Sequence, residues 1–225
     1  MATFEEIIVW TKQLLNKPNT TAADDTGAPN NATIKAMINY ERNRLYARFS
    51  AQYPARFTAN ADFVYTGNAL QMTLPTAAQN RQLVSVFGYY DDISDAFAIS
   101  TKNIAELPNL GPGGRPQCYA VESTRIYLRP IPASDQNLRI IYVPVLTALS
   151  ANSDVPSEWP ADHHLLLGTL AAYTLARRNG DSTAEGLGDM VKEGVELLND
   201  TMRGMVQDDS FVRSAPPSPF EMGYF

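Results

Sequence analysis

The sequence predicts an α+β fold: a helical bundle from N- and C-terminal helices, an inserted small antiparallel β-sheet or sandwich, and an extended C-terminal tail. Three observations carry this. Apolar residues recur at helical spacing near both ends. The middle breaks into short runs rich in Ile, Val, Tyr and Phe, separated by turn residues. The last twelve residues hold three prolines. The predicted segments are 1–56 for the N-terminal helices, 57–150 for the β insertion, 151–210 for a C-terminal helical hairpin and 211–225 for the tail.

Thr3 with Glu6 three residues on forms a capping-box pattern. Phe4, Ile7, Ile8, Leu14 and Leu15 follow on one helical face, and Pro18 stops the helix. Residues 18–32 have loop composition. A second helix starts near Thr33, with Ile34, Met37, Ile38, Leu45 and Phe49 inward and Arg42, Arg44 and Arg48 pointing elsewhere; Pro54 closes it.

In the middle, 63–65 and 70–74 are strand signals around the turn at Thr66, Gly67 and Asn68. Leu83 to Tyr90 is a third, followed by an acidic turn, and 97–99 a fourth. Lys102 to Leu107 forms a helical turn or two. Residues 117–121 and 125–128 make a hairpin, and Leu138 to Val143 is the richest strand in Ile, Val and Tyr. Helices then return. A first turn near Glu158, Trp159 and Pro160 leads into a stripe of His163, Leu166, Leu167, Leu170, Tyr173 and Thr174, stopped at Asn179 and Gly180. Ser182 and Glu185 suggest a second capping box before an apolar seam from Leu187 to Met205. A short loop makes this pair antiparallel.

The tail favours an extended path. Its sticky residues are Phe211, Pro216, Pro217, Pro219, Phe220, Met222, Tyr224 and Phe225, which suit docking on another chain. Packing on its own domain is the plainer reading.

Net charge is −6, which argues against sequence-reading DNA recognition, because phosphate contacts call for a basic excess. An acidic surface lets DNA slide past. The single cysteine, Cys118, supports no internal disulfide and reads as an inert buried thiol. No signal peptide and no membrane span are expected.

The motifs give no chemistry: no catalytic, cofactor-binding or metal residues are assigned. His163 and His164 are helix neighbours that point apart and lack a metal shell. Gly111 to Pro116 is glycine-rich without the Gly-Lys-Ser/Thr of a phosphate loop. Asp91, Asp92 and Asp95 form an acidic turn without EF-hand spacing. Tyr89, Tyr90 and Tyr127 offer rings for a carbohydrate-binding module, although sheet aromatics more often pair across strands. An enzyme is the least favoured reading.

From Leu107 onward the chain resembles the tailed-bacteriophage head-to-tail adaptor (connector, head-completion) family. The resemblance lies in Gly114, Arg115, Pro116 and Tyr119; in Ile126 to Pro132; in Leu138 to Tyr142; and in Leu146–Leu149, Asp154–Pro156, Trp159–Pro160 and the helix from Leu165 to Ala176. It covers about Phe4 to Val206. It implies a structural virion protein of the neck, made in the host cytoplasm. It also implies a homo-oligomeric ring, commonly of twelve copies, that joins the portal protein to a tail, nozzle or stopper protein. Genomic DNA passes through the lumen, without sequence-specific binding, during ejection. The C-terminal segment then docks on portal or neighbouring subunit. A different phage tail or baseplate component is the alternative, with the carbohydrate-binding module behind it.

Overall fold

The computed structural model describes residues 1–15, 31–108 and 113–212, with side chains to residue 205. The chain divides into two compact units: Met1–Tyr53 with Leu146–Phe225, and Pro54–Val145. The fold is α+β, with the strands inserted in sequence between helices.

The first unit holds four helices: α1 (Phe4–Leu14), α2 (Asn31–Gln52), α3 (His164–Asn179) and α4 (Ala184–Val212). The capping box of α1 is present, with Thr3 and Glu6 satisfying each other's backbone N–H groups. Helix α3 packs against α1, α2 and α4. Its apolar stripe is continuous, Leu166, Leu167, Leu170, Ala171 and Leu175 all being buried. At Gly168 the α1 backbone comes so close that a Cβ would sit 3.0 Å from Ile7 O and from Thr11 Oγ1. Helix α3 ends at Gly180, whose φ of 66° is the left-handed conformation glycine adopts without cost. The start of α4 is organised by Asp181, whose carboxylate accepts from Thr183 N and Thr183 Oγ1, both at 3.0 Å, rather than by Ser182.

Two expectations change here. Arg42, read as outward-facing, is buried together with Glu41. Residue 42 lies four after Ile38 and therefore on the same inward stripe; an ion pair makes its burial possible. Helix α4 runs to Val212, so Phe211, assigned from the sequence to the extended tail, is helical. No proline lies between Ala184 and Pro216. Pro18 and most of the 18–32 loop, part of the Gly111–Pro116 loop, and tail residues Pro216, Pro217, Pro219, Phe220, Met222, Tyr224 and Phe225 lie outside the described residues.

The second unit is a seven-stranded sheet: β1 (Ala59–Tyr65), β2 (Met72–Thr73), β3 (Leu83–Tyr89), β4 (Phe97–Thr101), β5 (Cys118–Glu122), β6 (Arg125–Arg129) and β7 (Gln136–Tyr142). The order is β1-β7-β3-β4-β5-β6-β2. The strands before and after Gly67 do not pair with each other but form opposite edges. That fixes the curvature. In a flat sheet, edges six spacings apart stand about 29 Å from each other. The seven steps from Tyr65 to Met72 span at most about 24 Å, and the link is further shortened by a turn in which Ala69 N donates to Thr66 O. The sheet must curl until it nearly closes. One apolar interior results, with Tyr65, Val86, Phe97, Ile99, Tyr119, Ile126, Leu128, Leu138, Ile140 and Tyr142 in a single cluster.

The sheet is not wholly antiparallel, since β4 and β5 pair in parallel through Ser100 with Cys118 and Thr101 with Tyr119. Residues 102–117 supply the long crossover such a pair needs. Phe97 is fixed from several sides. The Arg115 guanidinium lies over its ring at 3.6 Å, Tyr90 stands 5.9 Å away, and Gly88 leaves no room for more. A Cβ on Gly88 would meet the ring at 2.3 Å. Gly88→Ala should therefore cost about 1–3 kcal/mol through overpacking. Phe97→Leu in the same chain should recover part of it, as read by urea denaturation. Equal losses with and without the second change would show that the ring is free to move aside.

Candidate functional site

The residues that carry the adaptor resemblance are mostly interior. Tyr119, Ile126, Leu128, Leu138, Ile140 and Tyr142 line the core of the curled sheet. Gly113 and Gly114 take φ values of 113° and 94°, which few side chains tolerate, and so aim Arg115 onto Phe97. Tyr127 Oη donates to Glu122 Oε2 at 3.1 Å, which ties it to the neighbouring strand. Tyr127 on β6 and Tyr89 on β3 are separated by β4 and β5, so they do not share one stacking platform.

In the helical unit the chain from Leu146 to Pro160 crosses α2 without regular secondary structure and takes its order from side chains of that helix. Lys35 Nζ donates to Asn152 Oδ1 at 3.1 Å. Asn39 accepts from Leu149 N at 2.8 Å and donates to Leu149 O at 2.9 Å, acting as a short strand partner. Arg42 donates to Thr147 O at 2.6 Å and grips Glu158 with two nitrogens, Nη2 reaching Oε2 at 2.9 Å. The same segment completes α1: Asp154 O accepts from Phe4 N at 2.7 Å, and Asn152 O from Glu5 N at 3.0 Å. Those N–H groups have no partner inside the helix. Trp159 packs edge-on against Phe49 at 5.7 Å.

Both histidines have partners. His164 is fully buried, with Nδ1 3.1 Å from Ala2 O and Nε2 3.1 Å from Trp159 O. His163 Nε2 lies 3.1 Å from Thr201 Oγ1, which places the C-terminal half of α4 beside the start of α3. Among the described residues no three His, Cys, Asp or Glu side chains gather where they could hold a metal ion. Asp92 Oδ1 accepts from Ser94 N at 3.0 Å within its own turn. No helix among the described residues is long and apolar enough to cross a membrane.

A concavity of about 770 Å³ in the helical unit runs along α1 and the start of α3. Met1, Ala2, Val9, Trp10, Ala161 and Leu165 form its apolar wall, and Glu5, Glu6 and Asp162 bring carboxylates to it. Among the described residues no lysine or arginine lines it. Met1, Val9 and Leu165 are exposed. Trp10 is held in place by its indole N–H, which donates to Thr169 Oγ1 at 3.2 Å. Sequence reasoning missed this groove and the Arg42–Glu158 pair. The groove forms from two segments distant in the chain, and α1's period reported only its buried face.

Several carboxyls are shifted. Backbone N–H groups of Ser150 and Ala151 hold Asp154 below the ordinary 3.8. The capping box with Thr3 lowers Glu6 from 4.5, and the Arg139 guanidinium lowers Asp62 from 3.8. Burial lowers His163 from 6.5.

Two outcomes follow from this geometry. Glu158→Ala leaves a buried guanidinium unpaired and should cost about 3–5 kcal/mol. The double change Arg42→Met with Glu158→Leu should cost less than that single one in urea denaturation. Simple additivity would contradict the pair's role. For pH, a depressed carboxyl stabilises the fold above its unfolded value and loses that contribution as pH falls through its lower folded value. Asp154→Asn should thus be less stable than the parent at neutral pH and converge on it below pH 3.8. A constant offset between the two curves would contradict the assignment. The lowered His163 works in the same direction, removing stability as pH falls below 6.5.

A family profile described as SU10 adaptor protein matches residues 4–214, spanning both units. No curated protein matches the chain. The match takes in the sheet core, the segment ordered by α2 and all four helices, and on that ground the chain belongs to the SU10 adaptor protein family, the phage adaptors its sequence motifs resemble.

Proposed function

We propose that this phage adaptor is a structural virion protein of the neck. Copies assemble into a ring, twelve in the reading drawn from the family resemblance, that joins portal to tail and lets genomic DNA pass through its lumen. The family match over residues 4–214 is the observation that carries this reading. Physical features support it. The signature residues are spent on folding: Tyr119, Leu128 and Ile140 fill a core, and Trp159 packs on Phe49. We read the chain as an assembly element and not as an enzyme, with the four helices as one bundle. A net charge of −6 suits a wall along which DNA slides. A ring of identical subunits joins unlike surfaces on the two sides of each copy.

In this reading the C-terminal segment is the docking arm, through Phe211, Pro216, Pro217, Pro219, Phe220, Met222, Tyr224 and Phe225. The test is the mass of the full chain in solution, alone and with its portal, repeated for a chain ending at Val212. A large portal-dependent complex that weakens on truncation is expected. An unchanged complex after truncation would remove the arm, and no complex with intact portal would overturn the adaptor placement.

A further inference from the structure

We propose that the groove along α1 receives the C-terminal segment of a neighbouring copy, held by an edge made of Arg213, Pro216, Pro219, Met222 and Phe225. This rests on the ring reading and names the surface its docking arm uses. Three prolines within four residues favour the left-handed extended helix of three residues per turn. At that period residues 213, 216, 219, 222 and 225 fall on one edge, and they are Arg, Pro, Pro, Met and Phe. The groove complements that edge. Val9, Trp10 and Leu165 give an apolar wall, and the indole is fixed by its bond to Thr169. Flat aromatic walls are what proline-rich segments dock on.

Charge fits as well. Glu5 and Asp162 are exposed and make no ion pair or side-chain hydrogen bond among the described residues, while Glu6 is engaged with Thr3. Arg213 is the one cation of the segment 213–225. Length agrees too. Arg213 to Pro219 spans about 19 Å in that conformation, close to the about 17 Å of an eleven-residue helix such as α1.

Geometry also selects the copy. His163, beside Asp162, touches Thr201 on α4. From Thr201 the helix continues eleven residues to Val212, carrying the chain about 16 Å further on. The N-terminal end of α1 is anchored at the same place, since Ala2 O meets His164. Val212 therefore lies about 16 Å beyond that point, and only a reversal of the chain after it would lead back to its own Asp162 and Glu5, which a neighbour's segment does not require.

The test uses full-length chain with p-benzoylphenylalanine at Met222, assembled with portal from equal parts of ¹⁵N-labelled and unlabelled protein. After illumination, cross-links should join residue 222 to peptides containing Val9, Trp10 or Leu165, with mixed-isotope pairs present. Glu5→Lys with Asp162→Lys should reduce their yield about fivefold, the loss of two exposed charge contacts, and Arg213→Glu should restore it. Cross-links only to portal, only within one chain, or only elsewhere on the neighbour would overturn the proposal. Ring mass is measured on the same samples. Rings without groove cross-links overturn this assignment alone, whereas absent rings overturn the ring reading and this proposal with it.

Discussion

The helical unit depends on a buried charge. Arg42 lies on the inward stripe of α2, four residues after Ile38, where an apolar side chain would be the ordinary choice. Desolvating a guanidinium costs several kcal/mol unless its donors are met. Here they meet Glu158 twice and Thr147 O once. That satisfaction pins both ends of a segment with no regular hydrogen bonds of its own. With Asn39 one turn and Lys35 two turns earlier, α2 orders the segment at successive points. The segment in turn caps α1 and delivers Trp159 to Phe49. Irregular chain is thereby held by side chains of the helix it crosses.

The sheet unit obeys a different constraint, that of reach. Consecutive strands β1 and β2 occupy opposite edges, and the link between them is too short for a flat sheet. Curling follows, and with it a single interior filled by alternate residues such as Leu138, Ile140 and Tyr142. The interior makes demands on particular residues: Gly88 yields space to Phe97, and Arg115, one of the residues that carry the family resemblance, lies over that ring. A family signature can consist wholly of such residues, because an adaptor's work is done by surfaces of defined shape.

Much of this was legible in the sequence. The capping box at Thr3 and Glu6, the stop at Gly180 and the strands β3, β6 and β7 announce themselves through local rules. Pairing did not. The turn signal at Gly67 marks where β1 ends, but partner choice is settled by long-range packing that no local pattern encodes. Arg42 was in the right position and of the wrong type: period alone placed it inside, and charge argued it out. The partner that resolves the conflict, Glu158, is 116 residues away. The groove along α1 was invisible for a related reason. Trp10 and Leu165 stand on separate helices, and only the crossing of α1 and α3 at Gly168 brings them together.

The proposed role of the chain is a ring in the phage neck. The most direct measurement is a cryo-electron microscopy reconstruction of the portal-bound complex. Such a ring would show closed rotational symmetry beneath the portal, one copy of the two units in each repeat, and an open axial channel wide enough for duplex DNA. A portal without added density, or density with no open channel at its centre, would contradict it.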